Sequence, residues 1–189
     1  MFIFGHIGIT LGIFYLLSRL LPEKNIPIEF KWIAVGALLP DLIDKPLGRI
    51  ILAETIGSGR IFAHTLIFAI LLGLIGYYMF YRKGWIAPLI IAGASFCHVL
   101  EDEMWNSPRA FFWPFLGWEF PKDTFSGSFI EYLMRILNNS YNPEYSGVFI
   151  PEIIGIMIFS IFTGNYLRLK GKRNNVSPQI MKKKAEEEE

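Results

Sequence analysis

The chain's three histidines, His6, His64 and His98, all lie inside or at the mouth of long apolar segments. Five acidic residues accompany them: Asp41, Asp44, Glu101, Asp102 and Glu152. If these segments cross a membrane, each ionisable side chain costs roughly 2.5–3.5 kcal/mol, so a cluster of them needs a compensating partner such as a metal ion or a proton path. Imidazole and carboxylate together suit zinc and related divalent ions. The residue types therefore predict a polar site at membrane depth.

The composition of the chain indicates a membrane protein. Its 52% hydrophobic and 16% aromatic residues, with a mean hydropathy of +0.38, exceed the usual content of a soluble domain. Crossing about 30 Å of hydrocarbon takes about 20 helical residues. Five stretches approach that length: 3–21, 27–44, 61–81, 85–104 and 149–167. They are continuously apolar, without the alternation of barrel strands, which predicts an all-α polytopic membrane bundle of about five transmembrane helices.

The basic residues are distributed unequally when these five spans are threaded back and forth. Twelve of the 18 fall on one face and six on the other. The positive-inside rule makes the richer face cytoplasmic. We therefore expect an inner (plasma) membrane protein with its amino terminus outside and its carboxyl terminus inside. Residues 1–9 carry no basic segment of the kind that opens a secretory signal, so the first helix is expected to remain as a span.

The same threading brings the polar residues to one end of the bundle. Some open a span and others close one, and all fall toward the outer face: His6, Asp41, Asp44, His64, His98, Asp102 and Glu152. His98 and Asp102 are four residues apart and share one stripe of a helix. Pro40 directly precedes the aspartate pair and loosens its helix. Several helices that deliver histidine and carboxylate to one level are typical of metal sites in bundles, so we predict a single polar pocket.

Within this pocket the residue types suggest distinct roles. The expected ligands of one or two divalent ions, with zinc as the expected metal, are His6, Asp41, His64, His98 and Asp102. Asp44 is a candidate general base, a ligand of a second ion, or a partner that orients a histidine. Glu101 is a second candidate base, and its helical position faces either the site or its rim. Arg60 is expected to hold an anion such as phosphate, with Arg49 or Lys45 as a further candidate cation.

Other features favour structural explanations. Glu152 follows Pro151 at the expected start of a helix, where an acidic residue complements the helix dipole. Cys97 is the only cysteine, so an intrachain disulfide is excluded.

The sequence contains no Walker loop, Rossmann fingerprint, GxSxG elbow or CxxC pair, which argues against nucleotide, serine-hydrolase and thiol-redox chemistry. Nucleic acid is not an expected partner.

Residues 105–148 are rich in Trp, Phe, Tyr and Pro, which favour the membrane interface. Within them, Ser128 and Glu131 have the spacing of a capping box, and apolar residues follow at helical period. This pattern predicts an interfacial amphipathic helix on the outer face, either as a lid over the pocket or as a helix among the lipid headgroups. The transmembrane domain is expected to cover 1–168. The charged tail, 169–189, is expected to be cytoplasmic and disordered.

The polar blocks also resemble a known family, the YdjM/YbcI-type inner-membrane proteins, which are described as membrane-bound metal-dependent hydrolases. The resemblance is carried, in this order, by Gly5-His6-Ile7, Gly36-Ala37-Leu38-Leu39-Pro40-Asp41-Leu42-Ile43-Asp44, Arg60 with His64-Thr65, and Gly93 followed by His98 and Asp102. It covers roughly residues 1–120. Thr65 departs from the pattern, because the family more often has Ser after the second histidine. The resemblance implies a membrane metal site and leaves the substrate open.

Hydrolysis is the chemistry that such a site predicts. A divalent ion activates water and polarises an ester or phosphoryl oxygen, while a carboxylate such as Asp44 or Glu101 serves as base. The depth of the site, near the interface, favours a lipid or phosphoester substrate, with membrane lipids as the other partners. Two alternatives stay open: an ion or proton transporter, and a non-catalytic protein with a structural metal. The spans show no evident internal repeat, which weighs against the transporter.

Overall fold

The computed structural model describes residues 1–21, 29–122 and 127–187, with side chains described up to Arg168. The regular elements in this part of the chain are all helical, which confirms the predicted all-α class. The helices are α1 (Ile3–Leu20), α2 (Phe30–Pro46), α3 (Leu66–Lys83), α4 (Ala87–Glu101), α5 (Pro108–Phe111), α6 (Phe129–Ser140) and α7 (Ser146–Glu187). A π-helical turn, Leu47–Ile51, continues α2, and a 3-10 turn, Met104–Asn106, follows α4.

Each of the five predicted spans contains a helix, but their lengths differ. Among the described residues, three segments are long and apolar enough to cross a membrane: α1, α3 and the Ser146–Arg168 part of α7. Helix α4 is apolar but has 15 residues, or about 22 Å at the helical rise. Helix α2 has 17 residues and carries charged side chains near its end. The membrane bundle is confirmed, and the crossing of the bilayer by α2 and α4 stays a prediction.

The third predicted span begins later than its hydropathy suggests. We expected a helix over 61–81, whereas α3 begins at Leu66, after Thr65, whose hydroxyl accepts a hydrogen bond from the Phe68 N–H. The preceding residues are irregular because their backbone N–H groups bond to the Asp44 carboxylate instead of continuing a helix. His64 therefore lies in a turn that leads into α3.

Helix packing depends on close approach at glycine. Helix α4 packs against α2 and α3, and α1 packs against α7 and α2. A Cβ atom added at Gly8 would overlap the backbone of Gly155, and one at Gly36 would overlap that of Ile91. Small residues of this kind let membrane helices pack backbone to backbone. The apolar core below the polar site is Leu11, Phe14, Ile33, Ile90 and Ala94.

The predicted interfacial helix is α6. Ser128 accepts a hydrogen bond from the Glu131 N–H, and the Glu131 carboxylate accepts one from the Ser128 N–H, so the capping box is confirmed. Helix α7 continues to Glu187, whereas the sequence predicts a disordered tail over 169–189. The side chains of this tail and the basic residue Lys24 lie outside the described residues, so the cytoplasmic location of the tail stays a prediction.

Candidate metal centre

The three histidine rings meet at one end of the bundle. His6 comes from the start of α1, His98 from the last turn of α4, and His64 from the segment before α3. The ring centroids of His6 and His98 are 3.9 Å apart in a stacked arrangement, and those of His64 and His98 are 5.2 Å apart. All three residues are fully buried. The structure thus brings together histidines that are widely separated in the sequence, as the threading predicts.

Each histidine faces a hydrogen-bond acceptor with its Nδ1 atom. The pairs are His6 with Glu101 Oε2 at 2.9 Å, His64 with Asp44 Oδ2 at 2.7 Å, and His98 with the Ala37 carbonyl oxygen at 2.6 Å. Because a carbonyl or carboxylate oxygen accepts, each Nδ1 must carry the proton and donate. In a neutral ring Nε2 then carries no proton, and its lone pair is available to a ligand. Partners of this kind fix the tautomer and the ring orientation of metal-binding histidines.

The Nε2 atoms point toward two aspartates. His64 Nε2 and His98 Nε2 are 3.2 Å apart, and Asp41 Oδ1 lies 3.6 Å from the first and 3.8 Å from the second. Asp102 Oδ2 lies 3.7 Å from His64 Nε2. One ligand atom from each of these four residues lies within 4.8 Å of the others, so the group could hold a metal ion.

The spacing of these atoms suits a divalent cation. Zinc lies about 2.0–2.1 Å from nitrogen and oxygen ligands, which puts neighbouring ligands of a tetrahedron about 3.3–3.4 Å apart. Two buried atoms at the cluster, His6 Nε2 and Asp41 Oδ1, have no hydrogen-bond partner among the described residues. Buried polar atoms rarely stay without a partner in folded proteins, and a bound cation, together with the water that it would hold, would give these lone pairs one. The donor set therefore fits a metal.

His6 occupies a different position from the other two histidines. It is absent from the group of four, and its Nε2 reaches the cluster at Asp102 Oδ1, 3.4 Å away. The structure therefore places His6 beside Asp102, and its role as a metal ligand stays a prediction.

Asp44 lies behind His64 and is fully buried. Its Oδ2 accepts hydrogen bonds from the His64 ring and from the Ile61 and His64 N–H groups, at 2.7, 2.8 and 3.1 Å. Its Oδ1 accepts one from the Ala63 N–H at 2.9 Å. Since both oxygens are occupied, the geometry favours the orienting role for Asp44 over the role of base.

Glu101 has the same relationship to His6. One carboxylate oxygen accepts from the His6 ring, and the other accepts from the Thr10 hydroxyl at 2.8 Å. The side chain therefore faces the site rather than the rim. Sequence reasoning missed Thr10, although its position four residues after His6 places both on one stripe of α1.

The Ala37 carbonyl, which accepts from His98, has no signal in the sequence. It comes into reach because α2 and α4 touch at Gly36, whose carbonyl accepts a hydrogen bond from the Ser95 hydroxyl at 2.9 Å. A backbone acceptor can be recognised only from this helix contact.

Two cationic side chains pair with the aspartates of the cluster. Lys45 Nζ lies 2.5 Å from Asp41 Oδ2, and Arg60 Nη2 lies 2.8 Å from Asp102 Oδ2. The amino nitrogen of Met1 lies 2.9 Å from Asp102 Oδ1. Arg60 therefore reaches the predicted site, and Lys45 joins it there.

A cavity of about 440 Å³ adjoins the cluster at Asp102. Its walls include Lys45, Arg60, and Tyr132 and Asn139 from α6. Helix α6 thus borders the cavity beside the polar site. Its location in the membrane interface stays a prediction.

Glu152 has a structural role. This fully buried carboxylate of α7 accepts hydrogen bonds from the Phe4 and Gly5 N–H groups at 2.9 and 2.8 Å. It therefore caps the first turn of α1, next to His6. The sequence analysis expected Glu152 at the start of its own helix, and this was wrong: α7 begins at Ser146, and Glu152 caps α1 instead.

These features define an all-α membrane protein with a buried histidine and aspartate cluster at one end of its bundle. The chain belongs to the YdjM inner membrane protein family, whose model matches residues 1–169. The match therefore extends well beyond the roughly 120 residues that carry the resemblance in motifs. The family and the apolar helices agree with a location in the inner membrane. Neither a curated protein nor a solved structure matches the chain.

Proposed function

We propose that the protein is a membrane-embedded, metal-dependent hydrolase that acts on a lipid or phosphoester substrate at the outer interface of the membrane. The observation that carries this proposal is the convergence of His64 Nε2 and His98 Nε2 with carboxylate oxygens of Asp41 and Asp102. A divalent cation bound there supplies a Lewis acid that polarises an ester or phosphoryl oxygen and activates water.

The residues of the cluster divide into three roles. Catalytic zinc sites commonly have three protein ligands and one open position, and His64, His98 and Asp102 are our choice for these ligands. Asp41, which the sequence analysis expects as a ligand, is proposed here as the base instead. Its Oδ1 faces both Nε2 atoms and has no hydrogen-bond partner among the described residues, so it can accept the proton of the attacking water. Asp44 positions His64, and Glu101 positions His6 beside Asp102.

The site is proposed to face outward. The cluster lies at the start of α1, while Arg19 ends that helix and Arg82 and Lys83 end α3 at the opposite side of the bundle. The positive-inside rule makes that opposite side cytoplasmic. In a Cys97→Ser background, a cysteine at exposed Glu144 should react with a membrane-impermeant maleimide in intact cells, whereas one at Lys83 should not. The reverse result would invert the topology.

Metal analysis tests the centre directly. The purified full-length protein in detergent should contain a stoichiometric divalent metal, and His64→Ala and His98→Ala should both lose it. Cys97→Ala is the matched control, since Cys97 neighbours His98 in the chain but packs against the apolar core. Metal that stays in both histidine variants would contradict the proposal.

Turnover separates a hydrolase from the two alternatives. Asp41→Asn should retain the metal but lower hydrolysis of lipid or phosphoester substrates in micelles by about 10²–10⁴-fold, the usual contribution of a general base. Ion flux in liposomes without hydrolysis would indicate a transporter. A tightly held metal whose removal unfolds a protein without turnover would indicate a structural site.

A further inference from the structure

We propose that the cavity beside the cluster is a binding site for a phosphate group carried by a membrane lipid, with Lys45 and Arg60 as its anion ligands and α6 as its roof. This inference rests on the proposed function for the reaction, and adds to it the class of substrate and the residues that recognise it. The cavity, rather than the metal cluster itself, carries the inference.

The charges of the cavity favour an anion. Its lining side chains include two cations, Lys45 and Arg60, and one acid, Asp102. Arg60 is 46% exposed and bonds to Asp102 through Nη2. A guanidinium has five N–H donors in a planar fork that matches phosphate, so Arg60 keeps capacity for an anion in the cavity.

The position of the two cations places an anion next to the reaction site. Lys45 also contacts Asp41, and Arg60 also contacts Asp102. Because both aspartates belong to the candidate metal cluster, a phosphate between the cations would lie beside the proposed base and ligands. Positioning together with charge stabilisation is the main requirement of phosphoryl chemistry.

Neutral hydrogen-bonding groups also line the cavity: Ser58, Ser107, Tyr132 and Asn139. Apolar side chains, among them Ala110, Ile136 and Val148, form another part of its wall. Its volume of about 440 Å³ lies in the usual range for small-molecule sites and is large enough for a phosphate headgroup.

Helix α6 separates the cavity from the surroundings. Tyr132 and Asn139 face the cavity, whereas Ile130 and Met134 lie on the outer side and are 73% and 52% exposed. An exposed apolar face on a helix at this level is typical of a helix that lies in the membrane interface. The phosphate of a lipid could therefore enter the cavity while its chains remain in the bilayer.

The helix is tied to the site at Tyr132. The Arg49 guanidinium lies over the Tyr132 ring, 4.3 Å from its centroid. This cation–π contact joins α6 to the π-helical turn that continues α2 and so to the helix that carries Lys45. The roof of the cavity is therefore in contact with the helix that carries Lys45.

The binding experiment uses inorganic phosphate as the first probe. Affinity for the purified full-length protein in detergent, measured by titration calorimetry, should fall about tenfold or more in Lys45→Gln and in Arg60→Gln, as expected for loss of a charge-assisted hydrogen bond. Lys45→Arg should retain most of the affinity. Arg109→Gln and Lys122→Gln are matched controls, because these cations line a separate cavity of aromatic side chains and should leave the affinity unchanged.

Two further probes distinguish a lipid from a soluble phosphate. Phosphatidic acid in mixed micelles should compete with inorganic phosphate at least tenfold more strongly than glycerol 3-phosphate does, because the lipid is held in the same micelle as the protein, which raises its effective concentration at the cavity. Asn139→Leu, on α6 and away from the metal cluster, should weaken the binding of both. Equal competition by the two probes would overturn the lipid part of the inference.

Metal content, measured on the same samples, keeps the two proposals separate. The anion site would be overturned if Lys45→Gln, Arg60→Gln and Asn139→Leu all fold, hold metal and bind phosphate as the wild type does. That result would not affect the proposed hydrolase function. Phosphate binding that depends on Lys45 and Arg60 in a protein without metal would support the anion site and contradict the proposed hydrolase function. If the glutamine variants do not fold, Asn139→Leu still decides: an unchanged phosphate affinity in that variant would overturn the anion site.

Discussion

His64 Nε2 and His98 Nε2 lie 3.2 Å apart inside the bundle, although both rings donate their Nδ1 protons to other groups. Two neutral rings in this arrangement direct lone pairs at each other. The contact is unfavourable unless a proton or a metal cation lies between the nitrogens. Carboxylates of Asp41 and Asp102 at the same point favour a cation, and this relationship is the strongest single reason to propose a metal centre.

Asp44→Asn should destabilise the protein and remove the metal. The buried carboxylate accepts four hydrogen bonds, and an amide would place a donor against some of these donors. We expect a loss of roughly 3 kcal/mol or more in the free energy of unfolding. Asp41→Asn, three residues earlier on the same helix, should cost much less stability. Chemical unfolding in detergent measures both, and equal losses would contradict the orienting role.

Glu101→Gln should weaken metal binding without abolishing it. Glu101 holds His6, which stacks on His98 and whose Nε2 lies 3.4 Å from Asp102 Oδ1, so the effect on the metal is indirect. Loss of such an orienting partner typically costs 10–100-fold in affinity, and we expect about tenfold here. Exposed Glu103, two residues later, provides the control variant Glu103→Gln, which should bind as the wild type does. Competition with a chelator of known affinity measures the metal affinity of each variant.

Gly8→Ala should disrupt the contact between α1 and α7. The added Cβ would overlap the backbone of Gly155, and backbone atoms cannot move aside as a flexible side chain can. We expect a destabilisation of about 1–3 kcal/mol, typical of overpacking. Gly73→Ala is the control, since the space around Gly73 on α3 is open and alanine is the better helix former there. Thermal unfolding in detergent should move in opposite directions for the two variants.

Low pH should destabilise the first turn of α6. The Ser128 N–H donates to the Glu131 carboxylate at 2.7 Å and lowers the pKa of that exposed carboxyl below its ordinary value. A lowered pKa in the folded state means that the cap stabilises the helix above the ordinary carboxyl pKa and is lost as the pH falls through the lowered one. Hydrogen exchange of α6, corrected for the intrinsic rate, should therefore accelerate in acid. Ser128→Ala should exchange faster already at neutral pH, and an unchanged rate in that variant would contradict a role for the cap.

The sequence by itself determined the class of the protein and predicted the histidines and acidic residues that meet at one end of its bundle. Continuous apolar stretches can satisfy their backbone in a bilayer only as helices, and ionisable residues at their ends are too costly to lie there without a partner. Capping spacing at Ser128 and Glu131 likewise predicted α6, because that hydrogen-bond pattern is local in the chain.

Tertiary structure decided the roles within the site. Asp41 and Asp44 look alike in the sequence, yet one faces the histidine nitrogens and the other collects the N–H groups of the segment before α3. Which carboxylate oxygen accepts from which donor depends on how α2 packs against α4 and on the residue at which α3 begins. Neither of these can be read from the type of a single residue. The Ala37 carbonyl and the Arg60 pair with Asp102 could be found only in the folded chain, because long-range contacts are set by helix packing rather than by local pattern.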